Sequence, residues 1–531
     1  MLDLTAIHES VRKEGRIGRR AFLAQASALA ALPWLAGRVQ GSVLRAPSFA
    51  SDPFTLGVAS GDPDNTGFVL WTRLAPSPLE PGGGMPAAPV AVSWEIAEDE
   101  AMKGVVRSGT ALATPQLGHS VHVEVEGLKP DRWYWYRFRS GDAETPIART
   151  RTLPEPSALP DKLRFAFASC QHYESGLFTA YQHMAKDELD LVVHLGDYIY
   201  EGGPGKNSKL RTHSGTKEIE SLEEYRARHA QYKTDPLLRA VHAQCPWLVT
   251  WDDHEVENNY AGTIPQDLKE DPVAWLARRA NAYQAYYEAM PLRRRSLPRG
   301  PEMQLYRKAT YGRLAEFLVL DTRQYRTDQP NNDTKVDLNA AALDPRNTLL
   351  GAKQNGWLKA SLLQSQSNWN VLAQQVMMGL VDRTPGDERH FSMDQWPSAY
   401  HERMELMRWI AERKVPNPVV LTGDIHSNWV NDLRVDDRRA EDPVVATEFV
   451  GTSISSGGNG SQNLKAAETL RAENPCVKFF NAQRGYVRCT VTPASWQSDY
   501  VVVEDVTKPD QPAVLRASFA VESGKPGAQT A

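Results

Sequence analysis

Two hydrophobic patterns divide the chain. Between residues 52 and 152, apolar and polar residues alternate in segments such as VAVSWEIAED and SVHVEVEGLKPDRWYWYRFRSGD, and glycine and proline separate these segments. A period of two is typical of strands with one buried face. Leu128, Pro130 and Tyr134 have the spacing of a tyrosine corner, in which the tyrosine hydroxyl bonds to the backbone of the turn. The pattern predicts a small β-sandwich over residues 52–152.

The pattern changes at residue 163, after the proline-rich linker TLPEPSALPDK at residues 152–162. Short buried runs then alternate with helical segments such as AKQNGWLKASLLQS and HERMELMRWIAER. The predicted strands are LRFAFASC, LDLVVHLGDYIY, CPWLVTWDDHE, AEFLVLDTRQYR, WNVLAQQVMMG and PVVLTGDIHSNW. Strands that alternate with helices predict an α/β layered domain over residues 163–520. The polar segment 202–235 is interpreted as an inserted loop or lid.

Length and charge narrow the class of protein. The 531 residues exceed what one ordinary hydrophobic core holds, so we expect at least two domains. Hydrophobic residues make up 41% and charged residues 24%, as in soluble globular proteins. Lys and Arg number 60 against 65 Asp and Glu, which gives a net charge of −5. This balance does not indicate a nucleic-acid-binding module.

Residues 1–46 are predicted to be an export signal and spacer. Several arginines precede AFLAQASALAALPWLAG, a short apolar stretch of small residues. Arg19 and Arg20, followed by Ala-Phe-Leu, resemble the twin-arginine signal, whose machinery exports folded proteins. The alternative is an amphipathic helix of the mature protein. No other window could span a bilayer, so we expect a bacterial periplasmic or secreted protein.

Chemistry-bearing side chains follow four of the predicted strands. In chain order they are Cys170, then Asp197 with Tyr198 and Tyr200, then Asp253 with His254, and finally Asp424 with His426. A lone aspartate at a strand end is often only a turn residue. Open α/β sheets, however, place their binding sites at these ends. Four such ends in order indicate a metal site.

These motifs resemble the calcineurin-like metallophosphoesterases and, within them, the alkaline phosphatase D (PhoD-like) family. FTLGVASGDPDNTGFVLWTRL (54–74) is similar to the start of that family's N-terminal sandwich. The segments similar to its catalytic motifs are FAFASCQ, HLGDYIYEGG, TWDDHEVENN, LAQQVMM and LTGDIHSNW. The resemblance runs from about residue 52 almost to the C-terminus. It implies a four-layer αββα sandwich preceded by a small fibronectin-like β-sandwich.

The resemblance also implies a binuclear metal site. The implied ligands are Cys170, Asp197, Tyr200, Asp253, Asp424 and His426. Asp197 is placed as the family's bridging carboxylate, and the resemblance favours Tyr200 over Tyr198. A thiolate, a phenolate and an imidazole suit Fe³⁺, and two further carboxylates suit Ca²⁺. We therefore expect one iron with one or two calcium ions, with zinc or manganese as the alternatives.

Three further residues are candidates for contact with substrate. His254 directly follows Asp253 and is assigned to protonate or stabilise the leaving oxygen. Asn258 is a candidate phosphate or metal contact. Arg383 follows the LAQQVMMG strand and could bind a phosphate with its guanidinium, the alternative being a solvated loop arginine. Gln375 is a weaker candidate. Asp252, Glu255 and Glu257 are expected to lie behind the ligands or to face solvent.

The resemblance predicts an exported phosphoric-ester hydrolase in which a water activated by two metal ions attacks phosphorus in line. One alternative is a phosphodiesterase of the phospholipase D or teichoic-acid type on the same fold. Another is a secreted protein that binds calcium or another ligand without catalysis.

Two features have alternative interpretations. The segment GTSISSGG (451–458) suggests a serine elbow but lacks its second glycine. Cys170, in turn, could instead be a buried thiol or half of a disulfide.

Overall fold

The computed structural model describes residues 48–206, 210–384, 386–462 and 464–531. The predicted export signal lies outside these residues. The first strands along the chain are β1 (Val58–Gly61), β2 (Phe68–Arg73), β3 (Val90–Ala97), β4 (Val105–Ala113), β5 (Ser120–Val125), β6 (Trp133–Ser140), β7 (Ala143–Glu144) and β8 (Ala148–Arg151). Strands β1, β2 and β5 pair in one sheet, and β4, β3, β6 and β7 pair in another, with β8 beside β6. One hydrophobic cluster joins the two sheets, which confirms the predicted sandwich.

The tyrosine corner is confirmed. The Tyr134 hydroxyl accepts a hydrogen bond from the Lys129 N–H at 3.0 Å and donates to the Lys129 carbonyl at 3.3 Å. One sheet of the sandwich continues into the following α/β region, because Gly61 pairs in parallel with Trp247. A Cβ at Gly61 would lie 2.6 Å from the Pro291 carbonyl oxygen, so only glycine allows this approach.

Two large sheets form the α/β region. Its strands are β9 (Leu163–Ala168), β10 (Leu191–His194), β11 (Trp247–Val249), β12 (Arg307–Tyr311), β13 (Ala315–Val319), β14 (Lys335–Val336), β15 (Trp369–Ala373), β16 (Phe391–Ser392), β17 (Pro418–Thr422), β18 (Asn428–Leu433), β19 (Ala446–Val450), β20 (Val477–Asn481), β21 (Gly485–Val491), β22 (Ser495–Val503), β23 (Ala513–Glu522) and β24 (Lys525–Thr530). One sheet has the order β24-β23-β22-β21-β9-β10-β11-β1-β2-β5, and the other has the order β12-β13-β15-β17-β19-β18-β20. Both contain a parallel centre, β9-β10-β11 and β13-β15-β17-β19.

Helices cover the outer faces of both sheets. They are α1 (Thr179–Met184), α2 (Leu222–Lys233), α3 (Pro236–His242), α4 (Pro272–Ala289), α5 (Gly351–Gln364), α6 (Tyr400–Arg413) and α7 (Leu464–Glu473). Successive residues of a strand point to opposite faces. Val193 of β10 and Val371 of β15 therefore share the cluster between the sheets, whereas Val192 and Leu372 face the helices. The predicted four-layer αββα sandwich is confirmed.

The structure differs from the sequence interpretation at residues 202–235. This segment ends in α2, which a capping box begins: the Ser221 hydroxyl accepts from the Glu224 N–H, and the Glu224 carboxylate accepts from the Ser221 N–H. The Ser-x-x-Glu signal for the start of this helix is present in the sequence, but the polar composition of the segment favoured a loop.

None of the helices in the described residues has an apolar stretch that could span a bilayer.

Candidate metal centre

The carboxyl ends of the central parallel strands meet at one edge of the molecule. Cys170 follows β9, Asp197 follows β10, Asp253 follows β11, and Asp424 and His426 follow β17. Ligand atoms of Cys170, Asp197 and His426 lie within 4.8 Å of one another, as do those of Asp197, Asp253 and His254. Asp197 belongs to both groups. Four of the predicted ligands, Cys170, Asp197, Asp253 and His426, thus lie in two adjacent groups that share Asp197, whereas Asp424 belongs to neither group.

The backbone is strained at several predicted ligands. Positive φ angles occur at Cys170 (58°), Asp197 (55°), Asp424 (62°) and His426 (55°). Left-handed conformations are unfavourable for residues with a Cβ and persist only where the surrounding structure imposes them. One constraint is visible at Gly196, where an added Cβ would lie 2.5 Å from the Asp252 N and Cβ atoms. The strand ends are therefore packed too closely for relaxed turns.

Glu255 fixes the loop that carries Asp197. Its carboxylate accepts hydrogen bonds from the N–H groups of Asp197 (3.1 Å), Tyr198 (2.6 Å) and Asp252 (2.9 Å). Burial raises the pKa of Glu255 to about 7, against the lowering effect of these bonds. Glu255 lies behind the ligands and does not face solvent. It joins the ends of β10 and β11.

Tyr200 and Tyr198 point to different places. The Tyr200 hydroxyl donates to Asp197 Oδ2 at 2.8 Å and lies 3.3 Å from His426 Nε2. The Tyr198 hydroxyl instead lies 2.8 Å from His242 Nε2, away from the other ligands. The geometry thus brings Tyr200, and not Tyr198, to the metal-ligand group.

The GTSISSGG loop forms one wall of this group. Ser456 Oγ lies 2.7 Å from both the Cys170 carbonyl oxygen and the Tyr200 hydroxyl oxygen, and it accepts from the His172 N–H at 3.0 Å. Arg484 donates to the His426 carbonyl at 2.7 Å. Ser456 therefore connects Cys170 and Tyr200 by hydrogen bonds. The geometry does not indicate a nucleophilic serine in this loop.

His254 forms a dyad with Glu201. Its Nδ1 lies 2.7 Å from Glu201 Oε2, and Glu201 Oε1 accepts from the Asn258 N–H at 2.8 Å. The imidazole also packs on the Tyr200 ring, with centroids 4.1 Å apart. Burial lowers the pKa of His254, but the carboxylates of Glu201, Asp253 and Asp197 together raise it well above the usual value. Glu201, which exerts the largest of these charge effects, therefore favours the protonated imidazole.

Arg323 is a buried cation on the other side of the site. Its guanidinium forms two hydrogen bonds with Asp394, of 2.5 Å and 2.9 Å, and one with Asp252. It lies farther from the predicted ligands, 3.8 Å from Asp253 Oδ1 and 3.9 Å from Asp424 Oδ1. Arg323 therefore pairs directly with Asp252 and Asp394. Burial raises the pKa of Asp253, but the charge of Arg323, followed by that of His254, lowers it below its usual value.

The three remaining candidates for contact with substrate lie in different surroundings. Asn258 is held by its backbone to Glu201, and its side chain is partly exposed. The Arg383 guanidinium is partly buried, and the charge of Asp424 acts on its pKa, which burial lowers. Gln375 is fully buried, and its amide bonds to Thr322, Thr250 and the Leu320 carbonyl, so it joins strands beneath the site.

Asp197 and Asp253 fit cation binding. Asp197 Oδ1 and Asp253 Oδ1 are buried and have no hydrogen-bond partner within the described residues. Burial and the charge of nearby carboxylates raise the pKa of Asp197 well above its usual value, and burial followed by Asp394 raises that of Asp424 to about 7. Burial likewise raises the pKa of the Cys170 thiol. Each group is costly as an anion, and nearby cations would remove that cost.

A neighbouring group of three potential metal ligands differs in its hydrogen bonding. Ligand atoms of His172, Glu174 and His213 also lie within 4.8 Å of one another. Here, however, Glu174 accepts from the His213 and Gly205 N–H groups, at 2.7 Å and 3.0 Å. His213 Nδ1 lies 3.0 Å from the Gly202 carbonyl oxygen and Nε2 lies 3.0 Å from the Tyr232 hydroxyl. Glu174 and His213 are therefore already satisfied without a cation.

Sequence reasoning missed Glu201, Arg323, Asp394 and Ser456. Glu201 directly follows Tyr200 in the GDYIYE motif, and Arg323 follows the AEFLVLDTR strand, so the strand-end rule could have found both. Asp394 and Ser456 lie on loops without such a signal. All four cysteines are free and buried, so the disulfide alternative for Cys170 is wrong for this structure.

Comparisons with known proteins identify the family of this chain. A family model described as PhoD-like phosphatase matches residues 165–500, and one described as PhoD-like phosphatase, N-terminal domain, matches residues 40–154. Alkaline phosphatase D of Bacillus subtilis (strain 168) is 52% identical over 486 residues, covering 91% of this chain and 83% of its own. A solved structure described as that of PhoD superposes with a TM-score of 0.88 at 51% identity, covering 91% of this chain and 93% of its own.

Proposed function

The chain belongs to the PhoD-like phosphatase family and is a phosphatase, and we propose that it hydrolyses phosphate esters at the strand-end site with metal ions held by six residues. These ligands are Cys170, Asp197, Tyr200, Asp253, Asp424 and His426. The relative named alkaline phosphatase D supports an alkaline phosphatase activity. Membership of the family sets aside the alternative of a binding protein without catalysis.

One observation is the main support for the proposed position of the metal ions. Asp197 belongs to both groups of clustered ligand atoms, and its Oδ1, like Asp253 Oδ1, is buried without a partner in the described residues. A carboxylate in this position suits a bridge between two cations. Metal ions bound here would neutralise charge on the phosphoryl oxygens and lower the pKa of the attacking water.

The donor types support iron on one side and calcium on the other. Cys170, Tyr200 and His426 offer sulfur, phenol oxygen and imidazole nitrogen, a set that suits Fe³⁺. Asp253 and Asp424 offer carboxylate oxygens, which suit Ca²⁺. We expect one iron and one or two calcium ions.

His254 is the proposed general acid. Glu201 accepts from its Nδ1–H, which orients the ring and stabilises the imidazolium. A ring nitrogen of His254 lies within 4.8 Å of oxygens of Asp197 and Asp253, so the proton is available beside the proposed phosphate position. We propose that His254 protonates the leaving oxygen, and that Asn258 and Arg383 bind the phosphoryl group.

The export route is part of the proposal. Arg19 and Arg20 precede a short apolar stretch, which supports recognition by twin-arginine machinery and a periplasmic or secreted location. A fusion of residues 1–50 to a folded reporter tests this. Export should be lost when both arginines become lysine, and unchanged export in that variant would contradict the twin-arginine route.

The metal assignment is tested on protein purified without added metals. Elemental analysis should find iron and calcium, and the visible spectrum should show a tyrosine-to-iron charge-transfer band that Tyr200→Phe removes. Tyr198→Phe is the matched control and should keep the band, since its hydroxyl bonds to His242. A colourless protein with only zinc or manganese would contradict the iron assignment. Parallel assays with a chromogenic phosphomonoester and the matching diester determine which ester class is preferred.

A further inference from the structure

A cluster of nitrogen bases lies buried beneath the metal centre. We define the base cluster as Lys233 and His229 of α2, His242 of α3, His194 of β10 and Trp247 of β11. The exposed fraction of each side chain is 2% or less. The His242 ring stacks on the Trp247 ring with centroids 3.8 Å apart, and His194 lies parallel to the same indole at 6.1 Å. The cluster is therefore a compact, enclosed set of basic side chains around one indole.

The Lys233 ammonium is the charged member of the cluster. Nζ lies 4.4 Å from the centre of the Trp71 ring and 5.1 Å from that of the Tyr198 ring. Within the described residues, no carboxylate or hydrogen-bond acceptor contacts Nζ, and burial alone lowers the pKa of Lys233 to about 7. Aromatic faces offset only part of the cost of burying an ammonium ion. The surroundings of Lys233 therefore neutralise the charge of its ammonium group only in part.

The groups around Lys233 include several hydrogen-bond donors without partners. His194 Nδ1 accepts from the Gly196 N–H at 3.4 Å, so Nε2 carries the ring proton, and this atom has no partner in the described residues. The Trp247 indole N–H, His242 Nδ1 and both nitrogens of His229 are likewise buried and unpartnered within those residues. Buried donors in native proteins are almost always satisfied. The His194 and indole N–H groups and the ammonium call for acceptors, whereas the unpartnered imidazoles offer only one nitrogen of neutral His229 and, in one tautomer, His242 Nδ1.

The numbers of hydrogen-bond donors and acceptors in the base cluster, together with its charge, indicate the chemistry of the missing partner. A buried water needs acceptors for its own hydrogens as well as donors. The base cluster offers three ammonium hydrogens and at least two aromatic N–H groups. The charge of Lys233 acts on all three histidines, and those of Arg73 and Arg228 also act on His229. Excess donors and uncompensated positive charge favour an anion.

We propose that the base cluster binds a small monovalent anion of the chloride class, held by Lys233 Nζ and the surrounding imidazole and indole N–H groups. Nothing about phosphate-ester hydrolysis requires this site, and it goes beyond the proposed function. Its position has a structural consequence, because His242 Nε2 lies 2.8 Å from the hydroxyl of Tyr198, the residue after Asp197. The anion would therefore hold together α2, α3 and the strand that carries the bridging carboxylate.

Bromide tests the proposal directly, because it replaces chloride and is visible by anomalous diffraction. Crystals of the full chain grown with sodium bromide in place of chloride should show a bromine peak in contact with Lys233 Nζ. Lys233→Met keeps the length of the side chain and should lose the peak. Lys162→Met, at an exposed position of the linker, is the matched control and should keep it. Ordered water at Lys233 with no bromine peak in the wild-type protein would overturn the proposal.

Thermal unfolding gives a second measurement that does not depend on Lys233→Met folding. Replacing gluconate by chloride at constant ionic strength should raise the Tm of the wild-type protein by about 2–4 °C, because only the folded state encloses the anion. Gluconate is too large for an enclosed site of this kind. Equal Tm values in the two salts would contradict chloride binding.

Discussion

Two groups of potential metal ligands lie side by side, and they differ in how their polar atoms are satisfied. In the first, which we call the strand-end group (Cys170, Asp197, Asp253, His254 and His426), buried carboxylate oxygens lack partners in the described residues and three of the five residues have positive φ. In the second, the loop group (His172, Glu174 and His213), the carboxylate and both nitrogens of His213 have hydrogen-bond partners. The two groups are connected through Tyr200, whose ring lies 4.6 Å from that of His172 and whose hydroxyl donates to Asp197.

The comparison teaches that proximity of ligand atoms is insufficient to identify a metal site. Both groups meet the same distance criterion. Only the strand-end group combines unsatisfied buried oxygens, a raised carboxyl pKa at Asp197 and backbone strain, all of which a bound cation would compensate. In the loop group, His172 and His213 are kept neutral because burial lowers their pKa values, to about 4 and about 2.

The largest effect is expected from Asp197→Ala. Loss of the shared carboxylate removes a ligand from both halves of the strand-end group, so both metals should be lost and turnover should fall on the order of 10³-fold or more. Elemental analysis and steady-state kinetics measure the two effects. Retention of both metals in this variant would show that Asp197 is not a bridge.

His254→Ala should separate catalysis from metal binding. Because the imidazole is proposed to donate a proton and not to bind metal, turnover should fall about 10²–10⁴-fold while metal content is retained. Glu201→Gln should lower turnover less and move the alkaline limb of the pH–rate profile to lower pH, since the carboxylate stabilises the imidazolium. If His254→Ala emptied the site, His254 would be a ligand.

Chelation should destabilise the protein more at high pH. Burial and Asp394 raise the folded-state pKa of Asp424 to about 7, above its usual value of 3.8. Without cations, the stability from this group is full below the lower pKa and is lost as the pH rises through 7. The Tm difference between metal-loaded and chelated protein should therefore be larger at pH 8 than at pH 5. An equal or smaller difference at pH 8 would contradict this account of the strand-end group.

The smallest effect on chemistry is expected from His213→Ala in the loop group. Metal content should be unchanged and turnover should stay within about threefold, because His213 lies behind the ligands. Stability should fall by about 1–3 kcal/mol, since the Tyr232 hydroxyl and the Gly202 carbonyl each lose a partner. Denaturant unfolding measures this loss. A fall in bound metal would move His213 into the metal centre and remove the distinction between the groups.

The layered fold was predictable because strand and helix periods are local and strong. β9, β10, β11 and β17 lie within the predicted runs, and their polar ends pointed to Cys170, Asp197, Asp253 and His426. The sharing of one sheet by β1 and β11 was not predictable, since it depends on a close approach at Gly61. α2 was missed because its buried face is polar, with Arg228, His229 and Gln231.

The residues that support the site were harder to predict than the ligands. Asp394 and Ser456 reach the centre from loops distant in sequence, and only the folded chain brings them to Arg323 and Tyr200. Glu201 and Arg323 were predictable in principle, because Glu201 follows a strand that already pointed to the site and Arg323 follows another predicted strand. Ligand types carry a chemical signature, whereas supporting hydrogen bonds are recognisable mainly from geometry.

Anomalous diffraction at the iron absorption edge tests the central claim most directly. Crystals of the metal-replete protein should show an iron peak among Cys170, Asp197, Tyr200 and His426, with further density between Asp197, Asp253 and Asp424. No peak should occur among His172, Glu174 and His213. A metal peak in the loop group, or an iron-free strand-end group in active protein, would contradict the account.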